Sequence, residues 1–280
     1  LDVHDLVPEL YMSKFGLGEK HWIIRLLVSI ERQSIRFAHR AIAVHEPHLD
    51  ALVSHGNPRG KFSILLNLPD PNAFNAEKGS SKTSSSITTF IYHGTISRRH
   101  GLDYALRAID LLRKEGITDI RLRIIGKGDD LYRLVELSEK MKLDDIVYFN
   151  KALIPMHEVV HEILKSDVGI IPLFNDEFTR YMLPTKLLEY VFLKIPSICT
   201  DTHTIRAYFN DTMVSFFTSG DVNELANRMK ELHFNPEKRV AIARNAEHFT
   251  RKYNWETQKK ELYSLIDTLV DNKRSPIKFV

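Results

Sequence analysis

The residues best placed to do chemistry are gathered in Pro184-Thr185-Lys186-Leu187-Leu188-Glu189-Tyr190. A proline at a helix start leaves the next backbone amides, those of Thr185 and Lys186, without intrahelical partners. Such amides form a cradle for phosphate, and the lysine ammonium adds positive charge beside it. Glu189 follows Thr185 by one helical turn and lies on the same face. Its carboxylate can accept two hydrogen bonds from a vicinal diol such as a ribose. The same spacing also fits a plain amphipathic helix with a Lys–Glu surface pair, and alone it does not separate the two.

Two other loops have related chemistry. Gly94-Thr95-Ile96-Ser97-Arg98-Arg99-His100-Gly101 combines a glycine, for close backbone approach, with three basic residues ahead of a helix start. Gly126-Lys127-Gly128 follows the next strand in the same manner. It is not the dinucleotide fingerprint, because Leu131 stands where the third glycine belongs. Near the start, His4 stands at a strand end beside Asp5, where it can hydrogen-bond a ligand or form a structural pair with an aspartate. No Asp-x-Asp metal motif occurs; Asp129-Asp130 and Asp144-Asp145 read as helix-start acids.

The elements that carry these loops follow from periodicity. Residues 87–92 form a β-branched and aromatic run, hence a strand. Apolar residues at three- and four-residue spacing then predict a helix from 102, ended by Gly116. Strands are expected at 120–125, 146–149, 168–173, from 196, and at 213–217. Helices are expected at 129–141, at 155–165 and from 184, and three more follow 221. Strand–helix alternation with apolar strands means a parallel, doubly wound α/β sheet, whose ligands sit at the carboxyl ends of strands. Upstream, 41–44 and 62–66 are candidate strands, separated by a helix and the Gly56-Asn57-Pro58 turn. Residues 79–86, rich in serine with no apolar side chain, read as a linker.

Composition narrows the function. The chain has 280 residues, 43% hydrophobic and 27% charged, enough for two modest domains. Its 39 basic and 36 acidic residues leave a net charge of +3, too small to argue for nucleic acid but compatible with an anionic ligand or a membrane surface. A single cysteine, Cys199, excludes an intramolecular disulfide, so a reducing, cytoplasmic setting is expected. The amphipathic stretch 21–40 mixes apolar and basic residues. A core-facing helix is preferred for it, with peripheral membrane contact as the alternative.

The run from Pro184 to Ile198 resembles the donor-site motif of the retaining group 1 (family 4) glycosyltransferases. Supporting segments are Tyr92-His93-Gly94-Thr95 with Gly101-Leu102-Asp103, Ile124-Ile125-Gly126-Lys127-Gly128, Val147-Tyr148-Phe149 and Ser166-Asp167-Val168-Gly169-Ile170-Ile171-Pro172. Asp2-Val3-His4-Asp5 and Asn67-Leu68-Pro69-Asp70 match segments of the family's first domain.

The resemblance implies a GT-B fold of two Rossmann-like domains, the first lacking its N-terminal part. Residues 1–78 would close the acceptor-side domain and 87–253 would form the nucleotide-sugar domain. A helix at 254–272 would pack back towards the first, with a tail at 273–280. It further implies sugar transfer from a nucleoside-diphosphate sugar to a glycan or lipid-linked acceptor, as in polysaccharide biosynthesis, with retention and without a metal or other cofactor. Glu189 would bind the ribose, and the Thr185 and Lys186 amides the diphosphate. The segment 151–153, ending in Leu153, would lie beside the base. Gly94, Arg99, His100 and Lys127 would line the donor loops, and His4 would serve catalysis.

Two departures from the pattern stand out. Thr95 and His100 replace a common arginine and lysine, with Arg98 or Arg99 as substitutes. Tyr181 replaces a common sugar-contacting glutamate, for which Asp176 or Glu177 could stand in. Without the first domain's remainder the chain alone is expected to transfer no sugar. A nucleotide-sugar epimerase and a non-catalytic binding subunit are the alternatives.

Overall fold

The computed structural model describes residues 1–74 and 86–274, with side chains through 271. The expected linker, apart from Ser86, lies outside the described residues, as does the tail from 275. The chain divides into two compact units, one of residues 1–68 with 253–280 and one of residues 69–252. The first boundary therefore falls at Leu68, ahead of the expected end at 78, and buried Phe74 belongs with the second unit.

The second unit holds a six-stranded sheet. In chain order the strands are β4 (Thr88–His93), β5 (Ile120–Ile125), β6 (Val147–Phe149), β7 (Val168–Ile171), β8 (Ser197–Thr200) and β9 (Ser215–Phe217). They pair in the order β6-β5-β4-β7-β8-β9, every neighbour parallel. The order reverses between β4 and β7, the point where open α/β sheets form their ligand crevice. Helices cover both faces of the sheet, and β7 and β8 are buried throughout. Cys199 lies in β8, fully buried.

The covering helices are α4 (Leu102–Lys114), α5 (Leu131–Lys140), α6 (Met156–Leu164), α7 (Thr185–Phe192), α8 (His203–Tyr208), α9 (Val222–Phe234) and α10 (Pro236–Lys252). In α4, Leu102, Ala105, Leu106, Ile109 and Leu112 are buried at the expected spacing and join the core with Phe90, Leu122, Ile124 and Ile170. The short helix α8 was not anticipated; its signal is Thr202, whose hydroxyl caps the Ile205 amide. Asp144-Asp145 do not start a helix: they form the turn into β6, where Asp145 accepts a hydrogen bond from Arg113 at 3.0 Å. Asp130 does stand at a helix start, but its buried carboxylate pairs with Arg133 at 2.5 and 2.6 Å instead of capping α5.

The first unit has a smaller parallel sheet of β1 (Asp2–Val3), β2 (Ala41–Ala43) and β3 (Phe62–Ile64), in that order. Its helices are α1 (Val7–Phe15), α2 (Trp22–Phe37), α3 (Glu46–Ser54) and α11 (Trp255–Arg274). Gln258 of α11 bonds both the amide and the carbonyl of Leu66, at 2.7 and 3.0 Å. The core-facing reading of 21–40 holds only in part. In α2, Ile24 and Ile35 are buried, whereas Trp22, Leu26, Ile30 and Phe37 are exposed, because a three-stranded sheet offers little surface to cover them.

Candidate active site

The site in the second unit is built where β4, β5 and β7 deliver their loops to the start of α7. Backbone packing between two of those loops fixes the glycines. Gly126, at φ 144°, lies so close to Gly94 that a Cβ would sit 2.0 Å from the Gly94 carbonyl oxygen. Gly128 abuts Ile96 in the same way, at 1.9 Å. Hydrogen bonds from the Gly94 amide to Ile125 and from the Ile96 amide to the Lys127 carbonyl, at 2.9 and 3.0 Å, lock the two loops together. The Lys127 side chain is exposed.

Tyr190 anchors α7 to the strands. Its ring crosses β7 directly over Gly169, where a Cβ would lie 2.3 Å from the ring. The phenolic oxygen then reaches β4, donating to the Ile91 carbonyl at 3.0 Å and meeting His93 Nδ1 at 3.0 Å. The other ring nitrogen of His93, Nε2, is hydrogen-bonded to Glu189 Oε2. Thus the Glu189 carboxylate is held at the β4 end of the sheet by a residue that sequence reading gave no role. Two signals were available: a polar residue closing an apolar strand, and a glycine inside the buried strand β7.

At the α7 start no side chain caps the helix. The Leu187 amide bonds Pro184, and those of Thr185 and Lys186 have no hydrogen-bond partner among the described residues. The Lys186 amine lies over the Tyr92 ring at 5.2 Å, and its Cε would be 3.0 Å from a Cβ on Gly94. Burial of this ammonium, partly offset by Glu189 and reinforced by Arg99, lowers it from 10.5 to about 8. Arg99 is exposed, 5.6 Å from the Phe178 ring, close enough to Lys186 to repel it.

His100 does not supply the expected cation. It is buried beside Tyr92, with Nδ1 3.1 Å from Ser97 Oγ. Burial first, then Lys186 and Arg99, push it down to about 3, so its imidazole is neutral at physiological pH. Fixed positive charge here comes from Arg99 and Lys186. Thr95 is exposed, and its carbonyl accepts the Tyr92 hydroxyl at 2.5 Å.

The loop after β7 is folded by its own acid. Asp176 Oδ1 accepts from the amides of Phe178 and Thr179, at 2.9 and 2.8 Å, which sets up the turn carrying Tyr181. Asp176 is thereby committed to its loop. Glu177 is exposed, 3.7 Å from Arg180, whose guanidinium lies over Tyr181 at 5.5 Å. Leu153 is 78% exposed, two residues after Lys151 in the left-handed region at φ 58°.

Comparison with known proteins gives the arrangement its family. The model of "Glycosyl transferases group 1" matches residues 74–249, nearly the whole second unit and more than half of the chain. The chain belongs to the group 1 glycosyl transferases. Its fold is that of GT-B transferases of known structure. HepE from Anabaena, solved in complex with UDP, is 15% identical with a TM-score of 0.74, covering 95% of this chain and 71% of its own. Sucrose-phosphate synthase from Thermosynechococcus elongatus is 16% identical with a TM-score of 0.76, covering 97% and 67%. A glycosyltransferase from Rickettsia africae is 12% identical with a TM-score of 0.69, covering 95% and 80%. A search of the curated proteins returns no match.

In this transferase the first unit carries its own polar centre. His4 Nε2 is hydrogen-bonded to Asp2 at 2.9 Å, not to Asp5, and both side chains are about half exposed. Together with Asp5, Val7, Leu27 and Ile30 they line an open groove of about 380 Å3. Deeper, His55 bridges Glu9 at 2.9 Å and Glu31 at 3.0 Å, joining α1 and α2 to the end of α3.

Proposed function

We propose that this group 1 glycosyl transferase takes its sugar from a nucleoside-diphosphate donor held at the start of α7. One observation carries the reading. Two free backbone amides, a buried lysine amine and a hydrogen-bonded glutamate converge within one helical turn, at the crevice where the strand order reverses. The amides of Thr185 and Lys186 bind the diphosphate, with the Lys186 ammonium and Arg99 balancing its charge. Glu189 takes the ribose hydroxyls, and Leu153 lies beside the base. HepE, which shares the fold at a TM-score of 0.73 and 15% identity, is solved in complex with UDP and glucose, which supports a nucleotide-sugar donor.

Chemistry at such a site is chiefly electrostatic. As the bond between the sugar and the diphosphate breaks, negative charge grows on the leaving phosphate, and positive charge fixed near Gly94 and Lys186 stabilises it. The acceptor is a glycan or a lipid-linked saccharide, and transfer proceeds with retention. His4, in a mostly apolar groove, contacts the transferred sugar or the acceptor hydroxyl. No group of residues suited to a metal ion is found among the described residues, and no residue in this scheme holds one.

The test is calorimetry with a panel of nucleoside diphosphates, followed by product analysis with the matching nucleotide sugar. Glu189→Ala is expected to weaken nucleoside-diphosphate binding about tenfold or more. Unchanged affinity would remove Glu189 from the site. A product that is the epimerised donor, with no glycoside formed, would favour an epimerase instead.

A further inference from the structure

Between α7 and the end of β4, three polar groups form a chain whose hydrogens can be counted. The Tyr190 hydroxyl has one hydrogen and lies 3.0 Å from both the Ile91 carbonyl and His93 Nδ1. A carbonyl only accepts, and Nδ1 of a ring protonated on Nε2 accepts too, so the hydroxyl hydrogen is satisfied at either. Tyr190 is fully buried, and burial holds its phenol well above the ordinary range, so it keeps that hydrogen. At the other end of the ring, Nε2 is hydrogen-bonded to Glu189 Oε2, and a carboxylate also only accepts. A neutral ring with its hydrogen on Nδ1 would set two acceptors against each other. A hydrogen therefore lies between Nε2 and Oε2.

We propose that His93 is the positioning residue of the donor site: through a hydrogen on Nε2 it holds Glu189 Oε2 and leaves Oε1 to accept from a ribose hydroxyl. The ring is itself held from behind, since Tyr190 is pinned between Ile91 and Gly169. Glu189 has no other hydrogen-bond partner among the described side chains, so its carboxylate orientation depends on this one contact. A pre-set carboxylate gives up no rotamer freedom when the ribose arrives, which raises affinity for a diol over an analogue lacking one hydroxyl. The inference rests on the reading of Glu189 as the ribose ligand, and the two can be told apart.

The experiment uses the full chain. UDP, GDP and ADP are titrated by calorimetry, and the tightest is compared with its 2′-deoxy counterpart. Wild type is expected to prefer the ribose form about tenfold. Glu189→Ala abolishes that preference, and His93→Phe abolishes it as well, whatever either does to overall affinity. His93→Gln, which can still donate one hydrogen to Glu189, restores part of it. If Glu189→Ala keeps the preference, the ribose reading falls and this inference with it. If Glu189→Ala loses it while His93→Phe retains it, the ribose reading stands and the role of His93 is overturned. Nitrogen-resolved NMR of the wild-type imidazole decides the matter even where His93→Phe does not fold. Nε2 should carry a hydrogen in the wild type; a bare Nε2 overturns the proposal.

Discussion

Lys186 shows what a phosphate site costs the residue that serves it. An amine buried against Tyr92 and Gly94 sits at about 8 in place of 10.5, a difference of roughly 3 kcal/mol against the charged form. The sign follows from the direction. The unfolded chain holds this proton up to 10.5 and the folded one only to about 8, so the penalty on folding is complete below about 8 and fades as pH rises from there through 10.5. Lys186→Met is therefore expected to raise the unfolding midpoint of the ligand-free protein, by about 1–2 kcal/mol once lost pairing with Glu189 is deducted. The same variant should bind nucleoside diphosphate at least tenfold more weakly. Wild-type affinity should itself decline as pH rises above about 8, when the ammonium loses its proton. Thermal scans and calorimetry on one pair of proteins check all three. His100 makes the complementary point: its place in a basic loop suggests a cation, yet burial between Tyr92 and Ser97 leaves it neutral. Sequence states which group is present, and enclosure decides its charge.

At the scale of elements, the decisive contact is the crossing of α7 over β7. Gly169 leaves room for the Tyr190 ring, and through that ring α7 is tied to β4. Gly169→Ala would place a methyl 2.3 Å from the ring, so the helix must shift or the ring must leave its slot. The expected cost is about 2–3 kcal/mol of stability, typical of overpacking. Nucleoside-diphosphate binding should fall along with it, because Glu189 moves with Tyr190. Chemical denaturation and calorimetry measure both. Most elements of the second unit were legible in the sequence because β-branched runs and three–four spacing repeat without interruption from β4 to α10. The α7 start was legible too, since proline followed by Thr185 and Lys186 fixes its free amides. What spacing could not reveal were contacts between distant segments. His93 meets Glu189 across 96 positions of chain, and that pairing exists only once β4 and β7 are neighbours. The turn at Asp144-Asp145 misled for the opposite reason, since paired acids suit a turn into a strand as well as a helix start.

Taken whole, the molecule carries two units with separate responses to pH. In the first unit His55 is raised to about 9: burial opposes its charge, but hydrogen bonds to Glu31 and Glu9 outweigh it. Its contribution to stability is complete below 6.5 and is lost as pH rises through about 9, a span worth roughly 3 kcal/mol. His48, buried and lowered to about 4 with Glu9 opposing and His4 and His55 assisting, acts the other way. Its contribution is present above 6.5 and lost as pH falls through about 4. Unfolding of the first unit, followed by tryptophan emission from Trp22 and Trp255, should therefore be most resistant near pH 6.5. His55→Gln should flatten the alkaline side and, by removing one of the charges that lower His48, weaken the acid side slightly. The second unit offers a different handle. Its Cys199 is the chain's single thiol, fully enclosed in β8, and burial drives it far above the range in which a thiolate forms readily. An alkylating reagent can reach it only when the six-stranded sheet comes apart. The rate at which the native protein is labelled thus becomes a clock for the sheet's rare openings, and a bound nucleotide should slow it.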